Sequence, residues 1–201
     1  MSIDVFLSLG PSRSVTYQGK TLSWAGMLTK VIDRWHREPG VKLHFQHCTT
    51  REDQRQRRID ADEMATSDIY VLADDNCLPQ EEEFLSEALL DMEAMYITET
   101  PWTVSYFGML SLWPGNATIQ EWTSSPPEHW IILSSKTIEH VSVGGIRFCR
   151  KGLLPTWPPM GDGPGYDRIH ADALRELGYR VGYFKHLTMT HLGEGRSTVW
   201  T

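Results

Sequence analysis

Asp74, Asp75 and Asn76 stand in a row directly after the apolar run Asp68-Ile-Tyr-Val-Leu-Ala73. That run reads as a buried strand, and ligands of α/β sheets sit in the crevice beyond the carboxyl ends of strands. Two adjacent carboxylates repel one another, and a hard divalent cation with oxygen ligands relieves that repulsion, which suits Mg²⁺ or Mn²⁺. The alternative is a solvated turn of ordinary acidic residues. A second candidate is His191, in the segment Thr190-His191-Leu192-Gly193-Glu194-Gly195. An imidazole at a strand end can be set beside an acidic cluster, although a lone histidine is also a common structural or exposed residue.

Three further groups carry chemical potential. Asp167 follows Gly165-Tyr166 at the start of a helical pattern, where it fits an N-cap or a general base, behind the Gly/Pro-rich stretch Trp157–Gly165. Gly144 and Gly145 lie between Val143 and Ile146, with Arg147, Arg150 and Lys151 beyond. Paired glycines admit a ligand close to the backbone or mark a bend in a strand. Arg51, Arg55 and Arg58 share one face of an arginine-rich helix that also holds Arg57. They could meet a diphosphate, or form a solvated face balanced by Glu52, Asp53, Asp60 and Asp62 through weak i,i+4 pairs. Arg196 is a further cation near the end of the chain.

The elements that must position these groups follow from patterning. Ile3–Leu9 reads as a buried first strand ending at Gly10-Pro11, and a polar segment runs to about Leu22. Trp24, Met27, Leu28, Val31, Ile32 and Trp35 recur at helical spacing up to Pro39-Gly40. Val41–His47 alternates as a strand, so the start reads as a right-handed parallel strand–helix–strand unit. Thr49 and Glu52 resemble a capping box opening a polar helix from Arg51 to about Met64. The strand at 68–73 comes next, and Pro79 opens a helix with a stripe of Phe84, Leu85, Ala88, Leu89, Met92, Met95 and Tyr96. The second half is richer in strands, at Trp102–Leu112, Trp130–Leu133, His140–Phe148, Val181–Phe184 and Leu187–Thr190. A short helix carries Ile169, Ala173, Leu174 and Leu177. The class is α/β.

Bulk properties narrow the choice. The chain has 201 residues, 40% of them apolar, enough for one globular domain with a full core. A net charge of −7 lacks the basic surplus of a phosphate-gripping nucleic-acid binder. Cys48, Cys77 and Cys149 form no CxxC pair and read as free thiols of a reducing compartment. The start MSIDVFLSLG has no secretory pattern, and no apolar run approaches the roughly 20 residues of a membrane helix. The expectation is a cytoplasmic protein without a membrane partner.

Taken in order, the features resemble family-2-like GT-A glycosyltransferases over residues 3–193. An Arg-containing helix precedes a strand ending in Asp74-Asp-Asn-Cys-Leu-Pro79. A Gly-Gly segment with Arg147 comes later. An Asp167-led helix with Leu174-Arg-Glu-Leu-Gly-Tyr-Arg-Val181 follows, and Thr190-His191 closes the series. The resemblance implies a GT-A-like three-layer α/β/α domain with a mostly parallel N-terminal sheet and a β-richer acceptor half. The nucleotide-sugar half would span about residues 1–98 and the acceptor half about 99–201 of one domain. It implies metal-dependent transfer of a sugar from a nucleotide-diphosphate sugar to an acceptor hydroxyl. Mn²⁺ or Mg²⁺ would be held by Asp75, Asn76 and His191. Asp74, Arg51, Arg55, Gly144, Gly145 and Arg196 would meet the donor, and Asp167 would be the base. Two departures stand out: Asn76 occupies a position where the family often has Asp, and Tyr166-Asp167 replaces the usual Glu-Asp pair. A hydroxymethylated DNA base is one acceptor that the small size suggests, and the acidic net charge weighs against it. A nucleotidyltransferase and a non-catalytic nucleotide-sugar-binding module are the two other classes compatible with these residues.

Overall fold

The structure is a computed structural model that describes residues 2–12, 14–17, 20–90, 104–112, 130–133, 145–152, 159, 169, 173, 176–177 and 180–192. Three parallel strands form its N-terminal framework: β1 (Ile3–Leu9), β4 (Val41–His47) and β5 (Ile69–Asp74). The remaining elements in chain order are β2 (Val15–Tyr17), β3 (Lys20–Leu22), α1 (Trp24–Trp35), α2 (Arg51–Met64), β6 (Cys77–Pro79), β7 (Val104–Leu112), β8 (Trp130–Leu133), β9 (Ile146–Arg150) and β10 (Arg180–His191). Residues 84–90 are helical. The main sheet runs β4-β1-β5-β9-β7-β10-β6, with β8 on β10, and β2 and β3 pair with each other. The N-terminal pairs are parallel, β9 is antiparallel to both neighbours, and β10 is parallel to β7.

The period-2 alternation of strands gives this sheet two unlike faces. Val5, Val71 and Phe148 line up in register, as do Leu7, Ala73 and Ile146. This apolar face packs with Met27, Val31 and Trp35 of α1 and with Phe84, Leu85 and Ala88. Each large apolar side chain buried here contributes about 1.5–3 kcal/mol. Trp35 and Phe84 meet edge to face at 5.0 Å between ring centroids.

The opposite face carries Asp4, Phe6 and Ser8 of β1, His44 and Gln46 of β4, Tyr70 and Asp74 of β5, and Arg147 and Cys149 of β9. It lies under α2, which buries Arg57, Arg58 and Ala61. Polar bonds hold this layer together with buried rings, Phe6 meeting Tyr70 edge to face at 5.8 Å. Asp4 accepts from Thr66 N at 2.8 Å and Thr66 Oγ1 at 2.7 Å, and its Oδ1 lies 2.8 Å from His44 Nε2. The His44 ring stacks on Phe6 at 4.6 Å.

Local chemistry sets the helix boundaries. Ser23 caps α1 by accepting from Gly26 N at 3.2 Å, and Gly40, at φ 79°, makes the turn into β4. The cap of α2 falls one residue later than the expected Thr49/Glu52 pair. Cys48 N still donates to Leu9 O at 2.9 Å, so the chain leaves the strand ladder late. Thr50 then accepts from Asp53 N, and Asp53 accepts in return from Thr50 N.

Other differences from expectation have tertiary causes. Cys77–Pro79 pairs with Met189–His191 instead of opening a helix, and Pro79 is tolerated there because β6 is the edge strand. The two closing strands are one, β10, whose pairing with β7 shifts register between Phe184 and Thr188. The β2–β3 hairpin occupies part of the segment read only as polar. Of the strand expected at His140–Phe148, residues 140–144 lie outside the described residues, and β9 covers Ile146–Arg150. Among the described residues no helix is long and apolar enough to cross a membrane.

Candidate functional site at the strand ends

The carboxyl ends of β1, β4 and β5 are tied into one platform. Asp75 N donates to Ser8 O at 3.0 Å and Cys48 N to Leu9 O at 2.9 Å. Asp75 is 2% exposed, and its Oδ2 accepts from Gly10 N at 2.8 Å and from Trp24 Nε1 at 3.1 Å. A single acidic side chain thus joins the end of β1 and the start of α1 to the turn after β5.

Asn76 faces the other way along the sheet. Its backbone O accepts from Leu192 N at 2.6 Å, its Nδ2 donates to Leu192 O at 3.4 Å, and its Oδ1 accepts from Cys77 Sγ at 3.7 Å. With His191 in register with Cys77, positions 76 and 191 come together although they are far apart in the chain. Gly145 supports the same junction. It sits at φ 93°, its O accepts from Asp74 N at 2.8 Å, and a Cβ there would collide with Met189 and come within 2.8 Å of Cys77 Sγ. The close approach that Gly145 permits is to the protein's own side chains.

Asp74 is the member of the triplet that keeps an accessible carboxylate, with a side chain 35% exposed. Its Oδ1 accepts from Arg57 Nη2 at 3.0 Å. Removal from water pushes the Asp74 carboxyl up. The charges of Arg57, Arg147 and Arg58 and the Arg57 hydrogen bond outweigh that and hold it below the usual carboxylate range. Three cations thus surround an ionised carboxylate at a strand end.

The arginine helix divides its labour differently from the expected shared face. Arg57 and Arg58 are buried against the sheet, and Arg58 Nη1 donates to Gln54 O at 2.5 Å. Arg55 pairs with Glu52 at 2.9 Å on the outer side. Arg57 is the arginine of this helix that patterning does not single out. Beside Ala61 and Ala65 it marks the buried stripe, but an arginine on such a stripe carries no apolar signal. Asp167, Gly144 and Arg196 lie outside the described residues, as do the side chains of Arg51 and His191.

The donor chemistry bears on a divalent cation. Among the described residues no group of three or more His, Cys, Asp or Glu side chains is arranged to hold one. Asp75 and Asn76 direct the side-chain oxygens described above to hydrogen bonds within the fold. Asp74 is the carboxylate of the triplet whose side chain stays part-exposed.

No protein-family model and no curated protein matches the chain. Solved structures do. It aligns with S. aureus TarS residues 1–349 at a TM-score of 0.59 and 10% identity, covering 96% of this chain and 60% of that one. It aligns with CMP:2-keto-3-deoxy-manno-octonic acid synthetase in complex with CTP at a TM-score of 0.50 and 13% identity, covering 98% and 94%. The fold is of the GT-A type. A Drosophila galactosyltransferase solved with manganese, UDP-Gal and xylobiose also aligns, at a TM-score of 0.47 and 12% identity over 98% and 77% of the two chains. In open α/β sheets ligands sit in the crevice beyond the carboxyl ends of the strands, and the platform formed by β1, β4 and β5 is such a set of strand ends. Asp74 stands at its rim.

Proposed function

We propose that the chain is a transferase that takes a nucleotide-diphosphate sugar at the ends of β1, β4 and β5 and moves the sugar to an acceptor hydroxyl. The observation that carries this reading is the accessible, ionised Asp74 on a GT-A platform, beside the junction of residues 76 and 192. Asp74 would accept hydrogen bonds from the ribose or share a cation with the diphosphate. Asp74 and His191 are the residues that would hold Mn²⁺ or Mg²⁺. When bound, the ion would neutralise charge on the departing diphosphate. The buried Asp75 and Asn76 would act mainly by holding the platform rigid. Asp167 would take the proton from the acceptor hydroxyl, and Arg51, Arg55 and Arg196 would add positive charge around the phosphates. Gly144 would bring backbone close to the donor. The acceptor is left open, and a modified DNA base is one class to test.

One observation favours nucleotidyl transfer as a second reading. The CTP-bound synthetase matches this chain over nearly the whole length of both. A melting-temperature panel separates the two readings. UDP-, GDP- and CMP-linked sugars and nucleoside triphosphates are each added with Mn²⁺ and with EDTA. Stabilisation by one diphosphate sugar, dependent on Mn²⁺ and lost in Asp74→Asn, supports glycosyl transfer. Stabilisation by triphosphates alone, with pyrophosphate release, supports the second reading. No response to any nucleotide refutes both.

A further inference from the structure

We propose that Arg57 is a positioning residue for Asp74, fixing the plane in which its carboxylate is offered to a bound nucleotide. The inference rests on the reading of the strand-end platform as the donor site. Arg57 reaches Asp74 from the second turn of α2 with a side chain only 4% exposed. A guanidinium carries five N–H donors. Here Nη2 donates to Asp74 Oδ1 at 3.0 Å, while Nε and Nη1 are buried without a hydrogen-bond partner among the described residues. The backbone of the same residue is pinned separately, its O accepting from Gln46 Nε2 at 2.9 Å.

Losing one partner of an ion pair is costly when the other charge stays buried, but the Asp74 side chain is 35% exposed and its carboxylate can turn to water, so the pair is a poor source of net stability. The effect of Arg57 therefore falls on Asp74 itself. The terminal torsion of an aspartate is broad, so without a partner the plane of the carboxylate swings over a wide range. Engaging one oxygen from the inner side removes that freedom and leaves the other for the ligand. A carboxylate that arrives already oriented avoids an ordering cost on binding.

The test is a double-mutant cycle of Arg57→Met and Asp74→Asn, read by calorimetric titration with UDP, CDP, GDP and ADP in the presence of Mn²⁺. Urea midpoints of every variant are measured alongside. Arg57→Met should weaken the best nucleotide about ten-fold or more, with its urea midpoint close to wild type. Arg57→Lys should recover part of the loss. In the Asp74→Asn background, Arg57→Met should add nothing. An equal loss in both backgrounds overturns the proposal, as does a fall in binding that merely tracks a fall in midpoint without rescue by lysine. If Asp74→Asn leaves binding unchanged, or no nucleotide binds the wild type, the reading of the donor site fails and this role for Arg57 falls with it. Should Arg57→Met not fold, Arg57→Gln takes its place in the cycle.

Discussion

Replacing Asp75 with alanine separates a structural role from a ligand-holding one. The substitution removes the acceptor of two donors, Gly10 N at 2.8 Å and Trp24 Nε1 at 3.1 Å, at a position 2% exposed. A hydrogen bond to a charged group is worth about 1.5–3 kcal/mol, and a buried donor left without a partner costs a similar amount. Two such bonds give a loss of about 3–6 kcal/mol, a large share of the roughly 5–15 kcal/mol that holds a typical domain together. With a urea slope near 2 kcal/mol/M, the unfolding midpoint should fall by about 1.5–3 M. Asp75→Asn keeps an acceptor oxygen and should cost about 1–2 kcal/mol. The assay is urea unfolding followed by tryptophan fluorescence, in EDTA and without nucleotide, so that no ligand contributes. Trp24→Phe removes one of the two donors, and its effect should be strongly non-additive with Asp75→Ala because the two share a bond. An Asp75→Ala protein whose midpoint in EDTA equals or exceeds the wild type would refute the argument, since a carboxylate held in place only for a ligand is not missed in the absence of that ligand.

Gly145→Ala should lower stability by about 2–4 kcal/mol, combining the cost of a side chain at positive φ with overpacking against Met189 and Cys77, and calorimetric melting measures it. Asp4 should make the fold acid-sensitive. Burial pushes its carboxyl up, but the Thr66 and His44 partners outweigh this and leave it below the ordinary value. The folded state thus binds the proton less readily than the unfolded chain. The stabilisation is present above the unfolded value near pH 3.9 and is lost as pH falls through the lower folded value. Between about pH 5 and pH 2 the wild type should lose stability more steeply than Asp4→Asn, as urea midpoints across that range will show; equal slopes would remove Asp4 as the cause.

The N-terminal half is legible because its signals are local. Ile3–Leu9, the α1 stripe of Met27, Val31 and Trp35, and the alternation of Val41–His47 each announce their element within a few residues. The turn at Asp74–Asn76 is legible for the same reason, as an acidic triplet ending an apolar run. The separate tasks of its three members are not. Asp75 reaches back to Gly10 and Trp24 and Asn76 forward to Leu192, contacts no window of neighbouring residues contains. The short strand β6 exists only because β10 is there to pair with it, and Pro79 read alone points to a helix start. The role of Arg57 is not legible in the sequence because hydropathy counts an arginine as outward-facing, whereas this sheet presents a partly polar underside for it to meet.

That polar underside has a bearing on motion. The side chains that α2 itself buries there are arginine and alanine, set over a sheet face that also carries Phe6, Tyr70 and Leu72, so lifting it wets less apolar helix surface than lifting α1, which uncovers Met27, Val31 and Trp35. Opening free energies differ between regions of one molecule according to such exposure, and amide exchange in α2 should therefore outrun that in α1. Because Arg57 rides on α2, each such excursion also releases its grip on Asp74. The rim of the crevice would then loosen and tighten with the breathing of a helix packed beneath the sheet.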